Sequence, residues 1–384
     1  MKACGIIVEY NPFHNGHRYH ADMARKQTGA DVVIAVMSGN FLQRGEPAVL
    51  DKWARAKAAL CNGIDLVIEL PIEWSVQSAD YFARGAIRLL QKIGCDYLCF
   101  GTEGDQSFDY QVFGSFVQEN QEKIDQAFFQ LADQAMSYPQ KMTKVFNWLY
   151  PEMNLDFSSP NHILGLSYAK ENAQYDQPMQ LVPIARKNAG YHDQELPEQK
   201  IASATAIRKA LGEKKAIDHY VPTETAKFFH SASIQTWETY WPLLRYRLLS
   251  SGMQELRAIY QMTEGIEVRL LKASKEATTF TDFIALVKTK RYTWTRLQRL
   301  ACYTLLNMKT EEVKKQQGSI YLNLLGSTKN GRAFLKEKRM LPVFAKIGKQ
   351  EAEIAHLLIR SDQIYQIAPG VQEQNFGRRP YIYE

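Results

Sequence analysis

Cysteine is scarce in this chain of 384 residues. None of its five cysteines forms a Cys-x-x-Cys pair or lies near a His-x3-His pattern; they are Cys4, Cys61, Cys95, Cys99 and Cys302. This spacing argues against a disulfide framework and against a structural zinc site. We therefore expect free thiols, buried as unpaired cysteines usually are.

Long apolar runs are absent as well. No stretch approaches the roughly 20 apolar residues that a membrane-spanning helix needs. The chain opens with "MKACGIIVEY", which lacks the basic region, apolar stretch and cleavage site of a secretion signal. These absences predict a cytoplasmic protein with no membrane partner.

Two common nucleotide-binding fingerprints are missing. There is no Gly-x4-Gly-Lys-Ser/Thr loop and no Gly-x-Gly-x-x-Gly sequence. P-loop kinases and dinucleotide dehydrogenases are therefore disfavoured. No pair of carboxylates stands out as a metal site, and no metal-binding residue is predicted.

Charge is distributed unevenly along the chain. Residues 1–212 carry 20 Lys and Arg against 24 Asp and Glu, a net charge of −4, whereas residues 213–384 carry 27 against 17, a net charge of +10. A basic part of this size favours binding to a polyanion such as nucleic acid or anionic lipid, although a basic helical domain without such a partner is the alternative.

The order of apolar patterns predicts an α/β fold. Five short runs rich in Val, Ile, Leu or Tyr are typical of buried strands: 4–10, 31–39, 64–71, 95–101 and 180–186. Helix-period segments that end near a glycine separate the first four runs. This β-α order predicts a Rossmann-like parallel sheet.

The remaining segments are predominantly helical. Residues from about 105 to 175 interrupt the strand pattern, which predicts a helical insertion over the ligand edge of the sheet. From 213 onward, helical patterns follow one another, with one strand-like run near "SIYLNLLG". We therefore predict a first domain over 1–212 and a basic, mostly helical domain over 213–384.

The segment "EYNPFHNGHRYH", residues 9–20, carries the first candidate site. In an open parallel sheet, ligands bind beyond the carboxyl ends of the strands, and the first strand ends here. Pro12 ends the strand, Gly16 permits close approach of a ligand, and the following helix offers free N–H groups to an anion. His14 and His17 could donate hydrogen bonds to a phosphate and stabilise charge that develops on it. Histidines satisfied within a turn are the alternative.

A second candidate anion site lies at "IASATAIRKAL", residues 201–211. Ser203 and Thr205 are hydroxyls at a helix start, and Arg208 falls on the same helix face as Thr205. Together they suit β- and γ-phosphates or pyrophosphate, unless Ser203 is an ordinary helix cap and Arg208 is solvated.

Other residues are expected at the same crevice because of their positions at strand and helix ends. Gly101 ends the fourth strand, and Arg186 and Lys187 end the fifth. Asn161 opens a helix, where a nucleotide contact and a simple helix cap are equally compatible with its position.

Four segments of the sequence resemble those of a known family. The segments "GIIVEYNPFHNGHRYH", "MSGNFLQRGEPAVLDKWARAKAAL", "SPNHILGLSYAK" and "IASATAIR" resemble those of the bacterial tRNA(Met) cytidine acetate ligases, which belong to the HIGH-motif nucleotidyltransferase-like superfamily. The motifs cover residues 1–212, and the length and layout match over the whole chain.

The resemblance implies a Rossmann-like ATP domain and a helical C-terminal part that binds tRNA. It implies that ATP, with Mg²⁺, activates acetate to acetyl-adenylate. The acetyl group would then pass to N4 of the wobble cytidine of elongator tRNA(Met) and form N4-acetylcytidine. Oligomeric state is left open.

By position, the resemblance also implies functional residues. His14, His17 and Arg208 would be catalytic. The ATP-binding residues would be Ile7, Val8, Glu9, Tyr10, Asn11, Pro12, Phe13, His14, Asn15, Gly16, His17, Arg18, Tyr19, His20, Gly101, Asn161, Arg186, Lys187, Ser203 and Thr205. The superfamily often has two adjacent serines where this chain has Ala202-Ser203-Ala204-Thr205, so the active hydroxyl is left open.

Substrate contacts are expected in two places. Asn40, Gln43, Arg44 and Lys52 follow the second strand and are expected near the crevice, where Arg44 could pair with a carboxylate or lie at the surface. The segment "KTKRYTWTRLQR" interleaves cations with aromatic rings, as tRNA binding requires, through Lys288, Lys290, Arg291, Tyr292, Trp294, Arg296 and Arg299. A solvated basic face is the alternative.

Two other functions remain open at this stage. A small-molecule adenylyltransferase acting on a phosphorylated cofactor precursor would share the histidines and the Ser/Thr-Arg motif. A non-catalytic RNA-binding protein could hold ATP as a structural ligand. The first would not need a long basic C-terminal part, and the second would not need two anion sites at one crevice.

Overall fold

The computed structural model describes residues 1–103, 108–131, 136, 138–151, 159–186, 196–263, 265–338 and 342–384. Five strands coincide with the five predicted runs: β1 Ala3–Val8, β2 Val32–Ser38, β3 Leu66–Leu70, β4 Tyr97–Thr102 and β5 Gln180–Ala185. They lie in the order β5-β4-β1-β2-β3, and every neighbouring pair is parallel. Strand order reverses between β1 and β4, which is where open α/β sheets bind their ligands.

Both faces of the sheet are covered. All seven residues of β2 are buried, and its side chains alternate between two hydrophobic layers, with Ile34 and Val36 in one and Val33 and Ala35 in the other. A strand that is buried on both faces has no polar side and becomes a continuous apolar run. This is why the strands can be recognised in the sequence as short segments rich in Val and Ile.

The helices that follow β1, β2 and β3 are α1 Asn15–Thr28, α2 Lys52–Leu60, and the pair α3 Ile72–Ser75 and α4 Ala79–Ile93. Gly29 and Gly94 end α1 and α4 in the left-handed conformation, with φ of 60° and 80°. The predicted glycine C-caps are thus confirmed for these two helices. By contrast, α2 ends at Cys61 in a right-handed conformation.

Between β4 and β5 the chain is helical, as predicted, over α5 Tyr110–Glu119, α6 Gln121–Gln130, α7 Tyr138–Leu149 and α8 Pro160–Asn172. These helices form the crossover that joins two neighbouring parallel strands. α5 and α8 pack so closely that a Cβ on Gly114 would lie 2.5 Å from the carbonyl oxygen of Ala169. α8 also packs on α4, which brings its first turns to the ligand end of the sheet.

The later helices are α9 Ala204–Gly212, α10 Thr223–Ser231, α11 Trp237–Ser250, α12 Met253–Arg257, α13 Ile266–Glu276, α14 Phe280–Val287, α15 Trp294–Leu305, α16 Thr310–Gln317, α17 Lys329–Lys338, α18 Lys349–Ile354 and α19 His356–Tyr365. α11, α13, α14 and α15 enclose a separate hydrophobic core, in which the rings of Trp237 and Phe280 stack 4.1 Å apart. Phe41, from the loop after β2, enters this core as well.

The sheet extends into the C-terminal part. β6 Leu322–Ser327 confirms the strand expected near 319–326 and pairs antiparallel with β3. β7 Val343–Phe344 and β8 Tyr381–Ile382 both pair with β6. The domain division at residue 212 stays a prediction, and the sheet itself crosses it.

A buried charge network joins the two parts. The Nζ of Lys52 lies 2.8 Å from Oε2 of Glu69 and 2.5 Å from Oδ2 of Asp362, and all three side chains are at most 2 % exposed. Asn40 donates to Asp362 at 2.8 Å, and Asn323 of β6 donates to Glu69 at 2.6 Å. One cation therefore compensates carboxylates from strand β3 and from helix α19.

Replacement of Lys52 by Met should lower the free energy of unfolding by about 3–5 kcal/mol, because two buried carboxylates would lose their compensating charge. Urea unfolding at pH 7 measures this. Lys92→Met on the exposed side of α4 is the control and should change stability by less than about 0.5 kcal/mol. Equal effects of the two substitutions would contradict the role assigned to Lys52.

Candidate active site

A cavity of about 760 Å³ lies at the carboxyl ends of β1, β4 and β5. It is lined by residues of the loop after β1, the loop after β2, the starts of α8 and α9, and helix α15. The cavity thus coincides with the switch point of the sheet. Its polar lining includes Glu9, Asn11, His14, His17, His20, Gln43, Arg44, Glu46, Asn161, Arg186, Ser203, Thr205, Thr295, Arg208 and Arg299.

His14 and His17 cap the start of α1 reciprocally. Nδ1 of His14 accepts a hydrogen bond from the backbone N–H of Gly16 at 3.1 Å, and Nδ1 of His17 accepts from the backbone N–H of His14 at 3.2 Å. The two imidazoles stack, with ring centroids 3.7 Å apart and planes inclined by 25°. The local sequence therefore fixes both rings before any ligand arrives.

This arrangement determines where the protons are. Because both Nδ1 atoms accept backbone N–H groups, each neutral imidazole carries its proton on Nε2. Burial, with a smaller contribution from Arg186 and Arg208, lowers the pKa of His14 to about 3. Burial also holds the pKa of His17 well below its ordinary value. At neutral pH the pair thus offers two uncharged Nε2–H donors beside the positive end of α1.

Position 16 requires a glycine because the ring of His14 lies against it. A Cβ at this position would lie 2.9 Å from Cε1 and 3.0 Å from Nδ1 of the His14 ring. Gly16 lines the cavity, and the His14 imidazole occupies the space that a side chain at position 16 would take. Gly16 therefore serves the orientation of His14.

The residues of the second candidate anion site lie together at the start of α9, and the helix-cap alternative holds for Ser203. Ser203 is the N-cap of α9, and its Oγ accepts the N–H of Ala206 at 3.0 Å. Nη2 of Arg208 lies 3.4 Å from Oγ1 of Thr205, and Nη1 donates to the carbonyl of Asn11 at 2.8 Å. Arg208 is therefore tied to the histidine loop and is not a solvated side chain.

Glu103 accepts hydrogen bonds from two predicted site residues and from the residue that caps α8. Its carboxylate accepts from Nη1 of Arg186 at 3.0 Å, from Nδ2 of Asn161 and from Oγ of Ser159 at 2.6 Å. Ser159 is the N-cap of α8, so the helix-cap interpretation of Asn161 is wrong. Gly101, Asn161 and Arg186 line the cavity, and Lys187 lies outside the described residues.

Four members of the predicted ATP loop do not line the cavity. Pro12 and Phe13 are buried beneath it, and Arg18 is exposed. Asn15 donates through Nδ2 to the carbonyls of Lys200 and His219, which fastens the loop to the segment before α10. The other residues of the loop lie on the cavity wall: Ile7, Val8, Glu9, Tyr10, Asn11, His14, Gly16, His17, Tyr19 and His20.

The predicted acetate contacts divide into two groups. Gln43 and Arg44 line the cavity, and the backbone N–H of Gln43 donates to Oε1 of Glu9 at 2.7 Å. Asn40 does not line it, because its amide is buried in the Lys52 network. Lys52 does not line the cavity either, since its ammonium is buried between Glu69 and Asp362, so the predictions for Asn40 and Lys52 are wrong. Sequence reasoning gave no separate role to Glu9, whose pKa is raised mainly by burial.

The basic segment before α15 is also divided. Lys288, Lys290, Arg291 and Trp294 are exposed. Tyr292 is buried, donates its hydroxyl to the carbonyl of Thr263 at 3.2 Å and packs against the guanidinium of Arg296. The prediction that Tyr292 presents its ring to a base is therefore wrong. Thr295, which was not predicted as a site residue, and Arg299, a cation of the predicted tRNA-binding segment, line the cavity one helical turn apart.

Two features are absent from the described residues. None of the described helices combines the length and apolarity of a membrane span. Within the described ranges, no three His, Cys, Asp or Glu side chains come together as a group that could hold a metal ion.

Comparison with known proteins identifies the family. Residues 1–379 match the model of the HIGH nucleotidyl transferase family. The tRNA(Met) cytidine acetate ligase of Listeria monocytogenes serotype 4a is 42% identical over 385 residues, which is 98% of this chain and 97% of that protein. The chain belongs to the tRNA(Met) cytidine acetate ligase family of HIGH nucleotidyltransferases. A relative with the same name in Ligilactobacillus salivarius is 41% identical over the full length of both chains.

Solved structures agree with this assignment. The apo form of Thermotoga maritima TmcAL has a TM-score of 0.91 and 29% identity, and the match covers 100% of this chain and 99% of that one. The form bound with alpha-thio ATP has a TM-score of 0.88, 28% identity and the same coverage. The predicted family and the predicted nucleotidyltransferase fold are both confirmed.

Gly16→Ala should lower the free energy of unfolding by about 1 kcal/mol or more relative to Gly212→Ala, because the new Cβ displaces the His14 ring and costs at least one hydrogen bond. Urea unfolding at pH 7 measures this. Gly212→Ala is the matched control, since a Cβ there meets nothing within 4 Å. Equal stability of the two variants would contradict the role of Gly16 in holding the His14 ring.

The pH dependence of stability should report the buried His14. Its pKa near 3 in the folded protein lies below its ordinary value of 6.5, so the unfolded chain binds more protons between these pH values. Stability contributed by neutral His14 is complete above pH 6.5 and is lost as the pH falls. Urea unfolding at pH 6, 5 and 4 should show a slope steeper by about 1 kcal/mol per pH unit than in His14→Gln. Equal slopes would contradict this prediction.

Proposed function

We propose that this protein is an ATP-dependent ligase that joins acetate to N4 of the wobble cytidine of elongator tRNA(Met). The names of its full-length relatives support the substrates. The observation that carries the chemistry is the pair of neutral Nε2–H donors of His14 and His17, which share one cavity with Arg208 and Thr205. We also propose a cytoplasmic location, where tRNA is modified.

The first half-reaction forms acetyl-adenylate. An acetate oxygen attacks the α-phosphorus of ATP, a new P–O bond forms, and the bond to pyrophosphate breaks. His14 and His17 donate to α-phosphate oxygens at the N-terminus of α1, and their donors are already oriented when charge develops in the transition state. Arg208 and Thr205 bind the departing pyrophosphate. The proposed Mg²⁺ would be held mainly by phosphate oxygens.

The second half-reaction transfers the acetyl group. The N4 amine of cytidine attacks the acetyl carbon, a C–N bond forms, AMP leaves with the electrons of the broken C–O bond, and N4 loses a proton. The protein's contribution is alignment of amine and carbonyl. The exposed cations Lys288, Lys290 and Arg291 supply phosphate contacts, and the exposed ring of Trp294 is available for stacking.

The decisive experiment is incubation of the purified protein with ATP, Mg²⁺, radiolabelled acetate and bulk bacterial tRNA, followed by nucleoside analysis. Label should appear in N4-acetylcytidine. His17→Ala should lower both transfer and acetate-dependent ATP–pyrophosphate exchange by about 100-fold or more, as expected when one preorganised donor to a reacting phosphate is lost. His230→Ala, at an exposed position, is the control and should retain both activities.

Two results would oppose the proposal. Absence of both exchange and transfer in the unmodified protein would exclude acetate activation. Adenylyl transfer to a phosphorylated small molecule in place of acetate would instead support a small-molecule adenylyltransferase.

A further inference from the structure

Helix α15 forms one wall of the cavity, although it belongs to the helical C-terminal part. Thr295 and Arg299 both line the cavity, and their spacing of four residues places them on one face of the helix. The same helix begins at Trp294, directly after the exposed cations of residues 288–291. α15 therefore connects the interior of the cavity to the basic surface.

Arg299 is held in this wall without an acidic partner. Its Nε is buried and has no hydrogen-bond partner among the described residues, and none of the ion pairs in the described part of the chain includes it. Burial lowers the pKa of Arg299, and Arg296 and Arg44 contribute in the same direction. Arg299 and Arg44 both line the cavity, while Arg296 lies outside the lining with its guanidinium over the ring of Tyr292. Two guanidinium groups in one cavity wall favour a bound anion.

The loop after β2 holds Arg44 close to Arg299. Gly45 has a φ of 82°, and a Cβ on it would lie 2.7 Å from both N and Cα of Arg299. The carbonyl of Gly45 also accepts a hydrogen bond from Nε1 of Trp237 at 3.0 Å. The loop and the helix are therefore packed backbone to backbone, and the two arginines keep a fixed relation to each other.

We propose that Arg299, together with Arg44, binds a backbone phosphate next to the target cytidine of the RNA. The RNA would then enter the cavity along α15, while the adenylate occupies the part formed by the strand ends and the histidine loop. This inference rests on the proposed function and specifies where its polyanionic substrate binds.

A phosphodiester fits this cluster better than the acetate carboxylate does. Acetate brings one negative charge and must meet the α-phosphate beside His14 and His17. The arginine cluster instead continues outward into Arg291, Lys290 and Lys288, as a site for a chain of phosphates would. A volume of about 760 Å³ lies in the upper part of the range for small-ligand pockets, and the same cavity can receive a base beside the adenylate.

The test uses the full-length protein and Arg299→Gln, with Lys272→Gln as a control that removes the same charge from an exposed helix position outside the cavity. Arg299→Gln should raise KM for tRNA in acetyl transfer by at least about ten-fold. It should also reduce the salt dependence of tRNA binding, measured by filter binding, by about one unit of slope. Acetate-dependent pyrophosphate exchange, which uses no RNA, should stay within about two-fold of the unmodified protein. Lys272→Gln should change none of these.

Arg299→Lys separates charge from geometry. It should restore the salt dependence and only part of the KM, because Lys keeps the charge and loses the bidentate geometry. An increase in KM for acetate with unchanged tRNA binding would assign the cluster to the carboxylate and overturn the inference. Loss of exchange and of nucleotide binding would assign Arg299 to the adenylate site and overturn it as well.

The inference and the proposed function fail in different ways. If the unmodified protein binds elongator tRNA(Met) but transfers no acetyl group, the proposed function fails. If it transfers acetyl to tRNA and Arg299→Gln does so with the same KM and the same salt dependence of binding, only the inference fails.

Discussion

The rest of the site depends on one hydrogen bond, which the backbone N–H of His14 donates to Nδ1 of His17. With its reciprocal partner at Gly16 it fixes two rings, their tautomers and the start of α1 together. In the proposed phosphate site, the first two donors therefore carry no charge. Full cations, including Arg186 and Arg208, are supplied from other elements. Neutral donors bind developing charge without the desolvation cost of a buried cation.

A second constraint concerns how the two parts of the chain are joined. The buried network around Lys52 and the apolar core shared through Phe41 both emerge from the segment that follows β2. The same segment carries Gln43 and Arg44 to the cavity. Stability and substrate access are therefore linked in one stretch of the sequence, because the backbone that anchors the helical part also sets the position of cavity side chains.

The strands and the histidine loop could be predicted because their signals are local. A strand buried on both faces is a continuous apolar run, and a helix start after a strand needs only a few neighbouring residues to be recognised. Asn40 and Tyr292 were misjudged because their burial depends on Asp362 and Thr263, which are far away in sequence. Glu103 was missed, and Arg299 was recognised only as a cation of the basic segment, because nothing nearby in the sequence tells which helix forms a cavity wall. The basic residues at positions 288–299 indicated a binding surface, but this pattern does not distinguish a cavity wall from a solvated surface.

Strand β6 has a consequence for how the protein is made. It lies more than 250 residues after β3, yet it covers the outer edge of that strand and its Asn323 satisfies the buried Glu69. While the ribosome is still synthesising the helical part, the parallel strands that emerged first have an uncovered edge, which is the kind of surface on which chains associate. The last quarter of the chain therefore protects the sheet edge that the first quarter forms. Where relatives exchange their C-terminal parts, the new β6 must pair with β3 in the same register.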